Sequence, residues 1–168
     1  MLKVKKKSFF IGSAIIFIFA IIMTIVTSGG GKDISNSDEL IKELKTHRYK
    51  VEVEEVSNYR PVLFSVQPKI IKINDKTLEV YEFKSKEEAD EQGKNISKDG
   101  RSIKNIKGRM KDGATLRSCY VNWSEPPHFY KRGNIIVVYS GKNLRLQYNL
   151  AKIMGKQVAG DKWYLLIK

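Results

Sequence analysis

Ile70-Ile71-Lys72-Ile73-Asn74-Asp75-Lys76-Thr77-Leu78-Glu79-Val80-Tyr81-Glu82-Phe83 holds two β-favouring runs with turn residues between them. Isoleucine, valine and aromatic side chains suit a pleated, half-buried surface, and Asn-Asp suits a tight reversal. The stretch therefore predicts a β-hairpin, the clearest in the chain.

Working outward from it, Pro61 and Pro68 bracket a short alternating segment of Val62, Phe64 and Val66. Upstream, Tyr49, Val51 and Val53 alternate with Lys50, Glu52 and Glu54, which reads as a strand with one wet face. Ser37, as N-cap, opens a helix with Asp38 and Glu39 in its first turn and Leu40, Ile41 and Leu44 on its apolar stripe. His47 sits at the end of that helix, where the dipole accounts for it.

Downstream, Ser85-Lys86-Glu87-Glu88 matches a capping box, so a second helix starts there, with Ala89, Gln92 and Ile96 on one face and Asp99-Gly100 as its stop. Ile103 to Ile106 forms a short strand, Lys107 to Gly113 a loop, and Leu116 to Trp123 a β-rich run. His128 to Tyr130 resumes after Pro126-Pro127, and Lys131-Arg132-Gly133-Asn134 turns. Ile135-Ile136-Val137-Val138-Tyr139 is continuously apolar, the pattern of a central strand buried on both faces. Leu144, Tyr148, Ala151 and Met154 mark a last helix closed by Gly155, and Trp163 to Ile167 a terminal strand. Strands come in hairpin-like groups and do not alternate singly with helices. The fold class expected is α+β, a largely antiparallel sheet with about three helices.

One N-terminal transmembrane helix precedes this unit in the same reading. Phe9 to Thr27 is 19 residues without charge or proline, preceded by Lys3, Lys5, Lys6 and Lys7. At about 1.5 Å per residue, such a helix approaches the ~30 Å hydrocarbon core. The lysines hold the N-terminus in the cytoplasm, so the C-terminal part lies outside. The alternative is a cleaved secretory signal, whose apolar region is usually shorter and whose small-x-small site is vague at Thr27–Gly30. The organisation expected is a cytoplasmic basic tail (1–8), a transmembrane anchor (9–27), a Gly-rich linker (28–36) and an extracytoplasmic domain (37–168). The localisation is then the cell membrane, single-pass.

The 168 residues carry 31 Lys+Arg against 18 Asp+Glu, a net charge of +13. The excess is uneven: residues 33–93 hold 10 basic and 14 acidic side chains, residues 94–168 hold 16 and 4. It concentrates at Lys94, Lys98, Arg101, Lys104, Lys107, Arg109, Lys111 and Arg117, a candidate anion-binding segment. Anionic lipid headgroups and anionic cell-wall polymer are the fitting partners outside a bacterial membrane. Nucleic acid ranks last because no recognised module is present. The plainer alternative is that these charges keep a small domain soluble.

A single cysteine excludes an internal disulfide, a Cys-rich zinc site and an iron–sulfur centre. No P-loop, G-x-G-x-x-G, G-x-S-x-G or H-E-x-x-H occurs, and neither a cofactor nor a metal is expected. The most unusual composition is Trp123-Ser124-Glu125-Pro126-Pro127-His128-Phe129-Tyr130. Trp123, Glu125, His128, Phe129 and Tyr130 are candidates to frame a small ligand or partner pocket. In it Glu125 and His128 share a proton and the aromatics stack on the ligand. The competing interpretation is a proline-shaped connection whose aromatics fill the core. Cys119 with His128 has the composition of a thiol–imidazole pair, but an apolar-flanked cysteine is usually core.

Phe64-Ser65-Val66, Val80-Tyr81-Glu82-Phe83, Ile96-Ser97-Lys98-Asp99-Gly100, Pro127-His128-Phe129-Tyr130 and Gly155-Lys156-Gln157-Val158-Ala159-Gly160 carry a resemblance. Over about Leu40 to Gly160 the chain resembles an uncharacterised family of small bacterial cell-envelope proteins, many of them lipoprotein-like. It departs from the lipoprotein pattern in having no cysteine after the apolar run. The resemblance implies an envelope location and supplies no activity and no catalytic residue. The function expected is a membrane-anchored, non-enzymatic binding or scaffolding domain. The alternatives are an electrostatic binder acting through 94–117 and an enzyme using Glu125 and His128.

Overall fold

The computed structural model describes residues 34–54, 63–109 and 115–161. The chain divides into two units, Met1–Gly30 and Gly31–Lys168, and the described residues all belong to the second. In chain order they form α1 (Ser37–Thr46), β1 (Val51–Glu54), β2 (Pro68–Ile73), β3 (Lys76–Glu82) and α2 (Lys86–Lys94). There follow β4 (Ser102–Arg109), β5 (Thr115–Tyr120), β6 (Pro127–Arg132), β7 (Ile135–Ser140), α3 (Leu144–Met154) and β8 (Ala159–Gly160). The fold is α+β. Six strands lie in the order β1-β2-β3-β7-β6-β8, every pair antiparallel, and β4 and β5 form a separate two-stranded sheet.

The hairpin of residues 70–83 is β2–β3. Ile73 stands opposite Lys76, leaving Asn74-Asp75 as a two-residue loop. Asn74 takes φ 54°, a left-handed value that asparagine tolerates better than most residues. β7 lies inside the sheet between β3 and β6, and Ile135 through Tyr139 are all buried.

Period-2 alternation sends this apolar run to two cores. Ile135, Val137 and Tyr139 join Ile71, Ile73, Leu78, Val80 and Tyr130 beneath Leu40 and Leu44 of α1 and Leu146, Leu150 and Ile153 of α3. Ile136 and Val138 join Tyr81, Phe83 and Phe129 beneath Ala89 of α2 and Ile103 of β4. The sheet is thus the middle of three layers, with α1 and α3 on one face and α2 with the β4–β5 hairpin on the other. Phe64 closes the second core, edge-on to Tyr81 at 4.8 Å and to Phe83 at 5.9 Å between ring centroids. Such pairs add about 0.5–1.5 kcal/mol each beyond area burial.

Several boundaries differ from the sequence expectation. Asn36, not Ser37, caps α1, its side chain accepting from Glu39 N at 2.9 Å. Ser37 is instead buried, with its hydroxyl donating to Glu82 at 2.7 Å. The folded unit starts before residue 37, because Ile34 is 1% exposed and sits in the first core. The segment at Phe64 is not a strand: residues 63–66 bend, and Phe64 is a plug. Val62 lies outside the described residues.

Ser85 caps α2 as expected, but the helix ends at Lys94, ahead of the Asp99-Gly100 turn. Lys107, Gly108 and Arg109 belong to β4 and not to a loop. β8, a two-residue strand against His128 and Phe129, was not foreseen. Residues 163–167 lie outside the described residues, as does the apolar run 9–27. Among the described residues no helix is long and apolar enough to cross a membrane.

Candidate functional site

The 123–130 segment becomes the end of a loop and the start of β6, and strand alternation pulls its members apart. Phe129 points into the core beneath α2, fully buried. Tyr130, also fully buried, points to the opposite core and donates to Gln147 O at 3.3 Å. His128 lies on that same side, its ring stacked on Tyr139 at 5.7 Å and 21°. Its Nε2 is 2.9 Å from Gly141 O and its Nδ1 is 3.3 Å from Gln157 Oε1. Gln157 spends its amide on Ala159 O at 2.8 Å and Asp161 O at 3.0 Å, which fixes its oxygen toward the imidazole. His128 is 0% exposed, with both ring nitrogens facing protein oxygens.

Glu125 is exposed, and its carboxylate lies 3.5 Å from Lys142 Nζ. The hydrogen bonds of His128 go elsewhere, so the two do not form an acid–base couple in this arrangement. Cys119 packs with the core that holds Phe129, on the sheet face opposite to His128. Burial pushes its thiol up, away from the thiolate that a nucleophile requires. Of the five aromatic-segment residues the fold joins only Trp123 and Phe129 by ring contact, edge-on at 6.0 Å.

Trp123 also anchors a feature that sequence reading missed. Its Nε1 donates to Gly100 O at 2.9 Å, and it walls a groove of about 560 Å³. The floor is the second face of the sheet: Ile70, Lys72, Thr77, Glu79, Val138 and Ser140, with Glu54 at the edge. These residues come from β1, β2, β3 and β7, and register brings them together: Ile70 opposes Glu54 and Glu79, and Val138 opposes Glu79. Along the chain they read only as scattered polar and apolar positions of separate strands.

The groove's charged side chains already have partners within the fold. Lys72 Nζ lies 2.5 Å from Glu54, and Glu79 accepts from Tyr81 Oη at 2.6 Å. Burial, with the nearby Glu79 carboxylate, pushes the Tyr81 phenol far above its usual range, so it stays a donor. The groove offers hydroxyls, paired charges and one aromatic wall to a polar ligand, with no nucleophile set beside a base. Among the described residues no three of His, Cys, Asp and Glu converge as metal ligands.

The basic candidates spread over the layer of α2 and the small hairpin. Lys94, at the end of α2, is exposed, as are Lys98, Arg101 and Lys104. Asp99, exposed among them, accepts from Ser97 Oγ at 2.5 Å and from Arg101 N at 3.1 Å, bonds that hold its carboxyl below the usual range. Lys107 and Arg109 stand on β4 and Arg117 on β5, while Lys111 lies outside the described residues.

No protein-family model, curated protein or solved structure matches the chain.

Proposed function

We propose that the protein is a membrane-anchored extracytoplasmic domain that binds at the bacterial cell surface and carries out no catalysis. The observation that carries this reading is where the folded unit begins. Ile34 is 1% exposed within the core, only seven positions beyond Thr27, where the apolar run ends. An apolar 19-residue run behind four lysines, joined so closely to a domain, has the layout of an anchor with its cargo at the surface. Binding is favoured over acid–base chemistry because His128 is enclosed on both ring nitrogens and Glu125 sits with Lys142. Protease added to intact cells stripped of their wall tests the topology. Digestion of the domain with retention of a small membrane-bound N-terminal fragment is expected. Protection of the whole chain, or a mature N-terminus near Gly29, overturns it.

A second reading is electrostatic capture of anionic envelope polymer through 94–117. The joint exposure of Lys94, Lys98, Arg101 and Lys104 favours it. Its signature is polymer binding at low salt that disappears near 1 M, where the Debye length is about 3 Å.

A further inference from the structure

The outer surface of α3 carries a combination found nowhere else among the described residues. Leu144 is 47% exposed and Tyr148 60% exposed, while Arg145 and Lys152 are also exposed. At about 100° per residue, positions 144, 145, 148 and 152 fall within one arc of about 100° on the helix. The opposite side, Leu146, Leu150, Ile153 and Met154, is buried in the first core. Lys152 Nζ stands 5.2 Å from the centre of the Tyr148 ring, so cation and aromatic form one patch. Past the helix end, Lys156 and Val158, the latter 47% exposed, are open to solvent as well.

Charge on this stretch has one sign. Residues 141–160 contain Lys142, Arg145, Lys152 and Lys156 and no Asp or Glu. Among the described residues, only Lys142 of these four meets a carboxylate, Glu125, at 3.5 Å between two exposed side chains. An aliphatic and an aromatic side chain ringed by cations is the chemistry of a helix lying in the headgroup region of an anionic bilayer.

The described unit begins on the side of the sheet that carries α3. Ile34 packs in the same core as Leu146, Leu150 and Ile153, on the α1–α3 side of the sheet. Gly133 lies against the Ile34 carbonyl, and its neighbour Arg132 donates to Ile153 O at 2.6 Å. The chain therefore joins the domain beside the C-terminal end of α3. Six residues separate Thr27 from Ile34, a reach of at most about 25 Å when fully extended.

We infer that the outer face of α3, with Leu144 and Tyr148 as its apolar contacts and Arg145, Lys152 and Lys156 as its cations, docks on the anionic bilayer in which the chain is anchored. The inference rests on the anchored reading above. Docking places the β4–β5 hairpin on the far side of the domain, away from the membrane.

The test uses the full chain reconstituted in lipid nanodiscs of phosphatidylcholine alone, or with about 40 mol% phosphatidylglycerol to supply the surface charge. Hydroxyl-radical labelling of Tyr148 and Leu144 is read by mass spectrometry, with Tyr120, 72% exposed on the far layer, as the internal reference. Labelling of Tyr148 and Leu144 is expected to fall about fivefold in the anionic discs, to recover near 1 M salt, and to leave Tyr120 unchanged. Arg145→Glu with Lys152→Glu should abolish the protection. Lys94→Glu with Lys98→Glu and Lys104→Glu should leave it intact. Equal labelling in both discs, or protection lost only in the second variant, overturns the docking face.

Alkaline carbonate extraction separates this from failure of the anchor. A chain that is extracted yet protected at Tyr148 on phosphatidylglycerol retains the docking face and discards the anchor. A resistant chain without protection does the reverse.

Discussion

Replacing His128 by alanine tests whether this residue belongs to the core or to a site. The ring is 0% exposed, so its removal opens a cavity that water does not reach freely. At about 24 cal/mol per Å³, a void of roughly 80 Å³ costs about 2 kcal/mol. Gly141 O keeps its bond from Gln147 Nε2 at 3.2 Å, but Gln157 Oε1 loses its imidazole neighbour while Gln157 remains only 3% exposed. A buried acceptor stranded in this way adds about 1–3 kcal/mol. The expected loss is therefore about 3–5 kcal/mol, a large share of the roughly 5–15 kcal/mol that holds a domain together.

Urea denaturation of the purified chain in detergent, followed by near-ultraviolet circular dichroism, measures it. With a slope of about 2 kcal/mol per M, the midpoint should drop by about 1.5–2.5 M. Glu125→Ala removes only an exposed partner of Lys142 and should stay within about 0.5 kcal/mol of wild type. A His128→Ala midpoint within about 0.2 M of wild type would refute the account of His128 as a packed, bonded core residue.

Three further outcomes are expected. Ile34→Ala should cost about 2–4 kcal/mol by the same denaturation, because Ile34 is core and not linker; a neutral effect would return the start of the domain to residue 37. Gly160→Ala should destabilise by more than about 1 kcal/mol. Gly160 has φ 95°, and an added Cβ would run into the Pro127 carbonyl oxygen, so wild-type stability would contradict the β6–β8 pairing. Tyr81→Phe addresses pH: the folded chain holds the phenolic proton where the unfolded chain releases it, near pH 10, so stability falls as pH rises above about 10. The variant should show a shallower decline between about pH 9.5 and 11.5 than wild type, and an unchanged decline would contradict the burial of that hydroxyl.

The antiparallel character of the sheet was legible from residues 70–83 because a hairpin is a local structure. Its two strands and its two-residue loop are contiguous, and alternation alone fixes which side chains share a face. The run Ile135–Tyr139 likewise announced a central strand, since a short β-branched-rich apolar run bounded by turn residues suits a strand covered on both faces. The helix starts at Asn36 and Ser85 were readable to within a residue, because capping is satisfied by side chains one turn away.

What the chain alone left open were choices between distant partners. Phe64 alternates with its neighbours as a strand residue does, yet among the described residues no strand pairs with it, and the rings of Tyr81 and Phe83 hold it as a plug. Trp123 to Tyr130 read as a cluster because its members are adjacent in sequence. In β6, adjacency sends neighbours to opposite faces of the sheet. Conversely Glu54, Lys72, Glu79 and Trp123 are far apart in sequence and share one groove through strand register. Composition and local periodicity determined the elements, the charge asymmetry and the apolar N-terminal run. The pairing of β3 with β7, residues 76–82 against 135–140, was decided only when two cores had to be buried at once. That pairing is a non-local contact whose energy no single segment carries.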